Sequence, residues 1–320
     1  MHSVGTPGMW AAFTALVIVA IIVDLLVLRS NGPHKVSARE ALLWSLAWVV
    51  LAGLFNLALW WYLKDSMPAA AADKVALEFL TGYLVEKALA VDNIFVFLML
   101  FSYFKVRPEF QQRALILGVI GAILLRAVMI LIGAALIAQF HWILYVFGLF
   151  LLITGAKMLW AAGDQGDMKE NPILNLINRY LPLTPEHHEQ KLWIVDNGRR
   201  LFTPMFVVLL MIGITDVIFA VDSIPAIFAI TTDPFIVLTS NVFAVLGLRA
   251  LYFLLADMKE RFHLLAYGLA LVLMFIGAKM LLMDYYKIPI TISLAVVAAT
   301  IVTSMVISLL VPPKHLRVRS

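Results

Sequence analysis

Along the chain, long apolar runs alternate with short polar breaks. A helix that crosses a bilayer needs about 20 mostly apolar residues, and runs of that kind fall at 9–28, 41–63, 77–104, 114–137, 141–161, 204–230, 236–256, 263–284 and 288–311. The pattern predicts an all-α polytopic membrane protein of about nine transmembrane helices. The first run begins close to Met1 and lacks a basic leading region and a small-residue exit, so it is expected to be retained rather than cleaved as a signal peptide.

Orientation follows from lysine and arginine, which are held back on the cytoplasmic side. With the N-terminus outside, the inner loops and tail collect Arg29, Lys35, Arg39, Lys105, Arg107, Arg113, Lys169, Arg179, Lys191, Arg199, Arg200, Lys259, Arg261, Lys314, Arg317 and Arg319. The outer side keeps only Lys64, Lys74 and Lys287. This predicts an external N-terminus and a cytoplasmic C-terminus. One long hydrophilic stretch, 162–203, reads as a solvated cytoplasmic connector, and its adjacent His187 and His188 read as solvated rather than as a metal site.

Composition agrees with the pattern: 63% hydrophobic and 14% charged residues, with a mean hydropathy of +0.96, exclude a water-facing globule. The net charge of +4 reflects topology and gives no argument for nucleic acid. With no cysteine, thiol redox chemistry and thiolate metal sites are excluded.

The chain carries a duplication. Glu86-Lys-Ala-Leu-Ala-Val-Asp92-Asn93 is matched by Asp216-Val-Ile-Phe-Ala-Val-Asp222-Ser223, each with two acids six positions apart. Leu-Arg126-Ala and Gly155-Ala-Lys157-Met-Leu then recur in order as Leu-Arg249-Ala and Gly277-Ala-Lys279-Met-Leu. The layout is two N-terminal helices (1–76), a three-helix repeat (77–161), the connector (162–203), a second three-helix repeat (204–284), and a last helix with a basic tail (285–320). Three spans per unit and a loop that stays on one side imply units inserted in opposite senses, an arrangement found in many secondary transporters. Lys157 and Lys279 are then placed to snorkel to opposite interfaces.

A charge at mid-bilayer costs at least about 2.5–3.5 kcal/mol, so duplicated acids there ask for a function. Residues six apart lie about 120° apart around a regular helix and about 9 Å apart along it, so Glu86 and Asp92 cannot chelate one ion by themselves. Either the helix is interrupted, or each acid meets its counterpart from the other repeat. Pro225, three residues after Asp222, favours a local break in the second copy.

The alternative is an internal ion-pair network, since Asp24, Glu86, Asp92, Asp216 and Asp222 face Lys87, Arg126, Lys157, Arg249 and Lys279 in number. Lys157 and Lys279 can reach water, which leaves an excess of carboxylate, as a cation site requires. Arg126, Arg249 and Lys87 are expected to support the acids. Asn93, Ser223 and Asn241 supply neutral oxygens at similar depth. Oxygen ligands without intramembrane histidine suit manganese(II), calcium or magnesium.

The two acidic segments, with Thr-Ser-Asn241-Val-Phe-Ala-Val-Leu-Gly-Leu-Arg249, resemble the signatures of the TerC family of integral membrane proteins over nearly the whole chain. The resemblance implies manganese(II) export across the bacterial inner membrane; other labels used in the family are tellurium resistance and redox modulation. The family's second motif resembles Glu-x-x-Asp-x5-Asp, and its Glu position is Gly213 here. Two readings follow: a natural variant with a weaker or different ion site, or a substitution that disables transport.

No Walker motif is present and no cofactor is expected, so a secondary carrier that exchanges metal for protons at its carboxylates is the natural mechanism. A membrane scaffold that loads metal onto secreted proteins without net flux is the alternative. An enzyme is not expected, because the spans hold neither a His-Glu-x-x-His ligand set nor an activated nucleophile.

Overall fold

The computed structural model describes residues 3–31, 36–140, 142–161, 181–182, 184, 191–196, 199–256 and 264–311, apart from the side chains of 27–31, 92, 95, 161, 196 and 199. Ten helices and one hairpin make up this part of the chain: α1 (Pro7–Asn31), α2 (Ala38–Ser66), α3 (Ala69–Tyr103), α4 (Pro108–Gln139), α5 (Ile143–Ala161), β1 (Trp193–Asp196), β2 (Arg199–Phe202), α6 (Pro204–Phe228), α7 (Pro234–Leu246), α8 (Leu248–Ala256), α9 (Leu265–Leu281) and α10 (Ile290–Leu310).

Six of these helices are long and apolar enough to span a membrane, and the bent pair α7–α8 makes a seventh. The 35-residue α3 and the 17-residue α9 occupy the remaining two expected ranges. The chain is a polytopic, all-helical membrane protein. Its surface is the inverse of a soluble protein's: Leu43, Trp61, Leu124, Leu149 and Leu310 are exposed, while Glu86, Arg126, Asp216 and Asn241 are buried.

Helix starts follow local chemistry. The Ser37 hydroxyl accepts from the Glu40 amide at the head of α2, Thr203 does the same for Phe206 in α6, and the Asp233 carboxylate accepts from the Phe235 amide in α7. Pro108, Pro204 and Pro234 take the first helical position, where a missing N–H costs nothing. Within the 162–203 connector the described residues include the antiparallel hairpin β1–β2, pairing Trp193 with Phe202 and Asp196 with Arg199, which the loop reading did not foresee. Its two strands are linked by Asn197-Gly198, a strong short-range hairpin signal. His187 and His188 lie outside the described residues.

Two features correct expectation. The helix does not break at Pro225, because α6 runs unbroken from Pro204 to Phe228. Pro225 lies three residues before the helix end, so less than one turn follows it. The break falls instead at Gly247, where α7 and α8 meet at 41°. A Cβ there would lie 2.6 Å from Lys87 Nζ, the movable end of its side chain, and 3.1 Å from Trp48 Cβ, so glycine gives this approach its room.

The matching helices of the two repeats pack on each other, α3 on α6 and α5 on α9. A Cβ on Gly155 would meet the Ala270 carbonyl at 2.8 Å, and one on Gly277 the Gly148 carbonyl at 2.7 Å, so α5 and α9 touch backbone to backbone. Residue 148 faces 280, 152 faces 277 and 155 faces 270–274, which makes the two helices antiparallel. Small residues at such interfaces let helices approach closely where lipid supplies no hydrophobic drive.

Candidate cation site

At the centre of the bundle four helices each send one polar side chain to a common point: Glu86 from α3, Arg126 from α4, Asp216 from α6 and Asn241 from α7. Arg126 Nη1 donates to Glu86 Oε1 and, at 3.1 Å, to Asn241 Oδ1, while Nη2 donates to Asp216 Oδ1 at 3.2 Å. Asn241 Nδ2 donates to Glu86 Oε2 at 3.0 Å. Arg126 is among the largest fully buried side chains in the protein. Each motif thus contributes its first acid, and Glu86 and Asp216 meet on one guanidinium.

The junction is not saturated. Asp216 Oδ2, Arg126 Nε and Ser223 Oγ are buried with no hydrogen-bond partner. Two carboxylates against one guanidinium leave a net charge of −1 in a region where uncompensated charge is expensive. Asn93 and Ser223 follow Glu86 and Asp216 by seven residues, which returns nearly to the same helix face, and both are buried.

Asp222, six residues after Asp216, is turned away from that face; it is half-buried and lies against Thr154 of α5. The side chain of Asp92 lies outside the described residues. Among the described residues, no three His, Cys, Asp or Glu side chains come close enough to hold one ion together. The structure therefore brings together Glu86, Asp216 and Asn241, and sets Asp222 apart.

The supporting residues divide. Arg126 holds two duplicated acids, whereas Arg249 bonds Asp24 of α1 at 2.7 Å and reaches neither Glu86 nor Asp216. Lys87 Nζ donates to the Ala244 carbonyl at 3.2 Å, closing the last turn of α7 beside the Gly247 break, where the negative end of the helix dipole suits a cation. Gly213 is exposed, and a Cβ on it would meet nothing within 4 Å. Glu78, a buried acid on α3 with Lys74 at 3.7 Å, escapes a criterion based on duplication because no counterpart exists; its place inside the 77–104 run was the available signal.

The family model described as "Integral membrane protein TerC family" matches residues 71–316. The chain belongs to the TerC family. It is 53% identical to the "Putative membrane-bound redox modulator Alx" of Salmonella typhi over 96% of each chain. It is 51% identical to the protein of the same name in Escherichia coli strain K12 over 98% of each. An uncharacterized membrane protein of Myxococcus xanthus is 45% identical over 96% of this chain and 94% of its own. No solved structure matches the chain. The TerC match begins inside α3 and so covers all four residues of the junction, while α1 and α2 precede it.

Proposed function

We propose that this TerC-family protein is a secondary transporter that exports a hard divalent cation, foremost manganese(II), from the cytoplasm across the bacterial inner membrane. The observation that carries the reading is the buried junction in which one carboxylate from each repeat, Glu86 and Asp216, meets beside the Asn241 amide. Carboxylate and amide oxygens are the ligand set that manganese(II), magnesium and calcium prefer. A site at the contact of two oppositely inserted units is where secondary transporters place their cargo. The antiparallel packing of α5 on α9 supports that arrangement.

The positive-inside distribution puts the N-terminus outside and the C-terminus in the cytoplasm. Moving a divalent ion outward against about 150 mV costs about 7 kcal/mol, at about 2.3 kcal/mol per charge per 100 mV. Proton entry supplies that work if Glu86 and Asp216 carry metal on one side and protons on the other. Asp222 and Asp92 serve as further stations for the ion. The chain acts as a carrier rather than an enzyme and needs no resident cofactor. Because it has no cysteine, thiol–disulfide exchange cannot be this chain's own chemistry.

The test is manganese(II) flux into proteoliposomes with an imposed pH gradient, comparing the chain with Gly213→Glu and with Gly213→Glu plus Asp216→Asn. The open space around Gly213 accepts the larger side chain. Flux that rises in the first variant, vanishes in the second and follows the gradient is expected. Binding without flux in every version would give the scaffold role in its place.

A further inference from the structure

The oxygens that a transported ion needs are held by a cation that is part of the chain. Arg126 donates to Glu86 Oε1, Asn241 Oδ1 and Asp216 Oδ1, one oxygen from each of the three groups assigned to the cargo. A hard divalent ion sits about 2.0–2.6 Å from its oxygen ligands, and an ion shared by Glu86 and Asp216 would take the space between them that the guanidinium now bridges. Binding of one requires withdrawal of the other.

We propose that Arg126 is the resident competitor of the transported ion: its guanidinium fills the site in the metal-free chain, and a divalent cation binds by displacing it from Glu86, Asp216 and Asn241. The inference rests on the carrier reading of this site.

Three observations favour a displaceable guanidinium over a permanent brace. First, Arg126 reaches in from α4, which contributes neither acid, so its side chain can withdraw without moving α3 or α6. Second, its grip is incomplete: only the two terminal nitrogens are engaged, and Asp216 Oδ2 remains buried without a partner. That oxygen is left open to an incoming cation, and an unpaired buried polar atom is costly. Third, the charges match a divalent ion better. Two carboxylates and one guanidinium leave −1, whereas the same carboxylates with a divalent ion are neutral. Asp24–Arg249 shows what a balanced pair looks like here, one acid to one base.

Such a competitor does two things. It keeps the acids compensated when no metal is present, and its return to the site competes with rebinding of the ion.

The decisive experiment is manganese(II) binding to the purified full-length chain by titration calorimetry, with Arg126→Ala and Arg126→Lys alongside, and with guanidinium chloride added at non-denaturing concentration. If the displaced state makes up about 10% or less of the free chain, removing the competitor tightens apparent binding at least about tenfold. Arg126→Ala should therefore bind more tightly than the parent, and added guanidinium should weaken its binding while leaving the parent unchanged. Equal or weaker binding by a folded Arg126→Ala overturns the proposal. Should that variant fail to fold, Arg126→Lys decides: its ammonium lacks the two-pronged grip, so binding must again tighten, and equal or weaker binding overturns the proposal. Absence of manganese(II) binding in parent and variants alike instead removes the carrier reading, and this inference with it.

Discussion

Arg126 and Arg249 hold the same place in the duplicated Leu-Arg-Ala motif, yet they do opposite work. Arg126 points into the centre of the bundle and joins an acid from each repeat. Arg249 points outward from the repeats and pairs with Asp24 on α1, a helix that precedes the TerC match. The same α1 is also tied to the start of α7, where Asp233 accepts from the Ser3 hydroxyl at 2.9 Å and the Val4 amide at 2.6 Å. One arginine of the repeated motif therefore stands in the prospective ion site, and the other anchors α1. A repeated motif reproduces a residue's position on its helix; the neighbours that pass that helix choose its partner.

The largest effect on transport that can sharpen this contrast is at the central junction. Glu86→Gln leaves Arg126 paired with Asp216, so it should lower stability by about 1.5–3 kcal/mol, the worth of a charged hydrogen bond, and abolish manganese(II) flux. Thermal unfolding in detergent and a liposome flux assay read the two effects. Asp24→Asn, at the anchor, leaves Arg249 buried without its acid and should cost about 3–5 kcal/mol, the usual cost of breaking a buried ion pair, while leaving metal binding intact. The exchange Asp24→Arg with Arg249→Asp should recover most of that loss. If Asp24→Asn abolished metal binding as fully as Glu86→Gln, the division of labour between the two arginines would fall.

Smaller effects probe the helix break beside them. Gly247→Ala forces a methyl group against Lys87 Nζ and Trp48, and should cost about 1–3 kcal/mol by overpacking, visible as a lowered melting temperature. Gly213→Ala meets nothing and lies within α6, so it should raise stability by up to about 1 kcal/mol through helix propensity alone. A loss there of the size expected at Gly247 would show that Gly213 faces a packed surface in the membrane.

The nine apolar runs place every helix from α1 to α10, with α7 and α8 sharing one run, because the demand to satisfy each backbone polar group in lipid leaves the helix as the only open choice for such segments. The connector hairpin was missed although Asn197-Gly198 announces it, since a polar stretch between spans otherwise reads as loop. The expected break was misplaced for a related reason: Pro225 is visible in the sequence, whereas the pressure of Lys87 and Trp48 on Gly247 exists only after α2 and α3 have packed.

The sequence by itself determined that the chain crosses a membrane repeatedly, that an acidic motif recurs in it, and that the six-residue spacing of that motif prevents either copy from closing a site alone. These are consequences of length, hydropathy and helical period, all local quantities. Only the tertiary structure decided which acids meet, that Arg126 stands between them, that Asp222 turns toward Thr154, and that Arg249 belongs to α1. Those outcomes depend on which helix faces lie against each other, and a buried charge takes the partner that packing brings within hydrogen-bond reach.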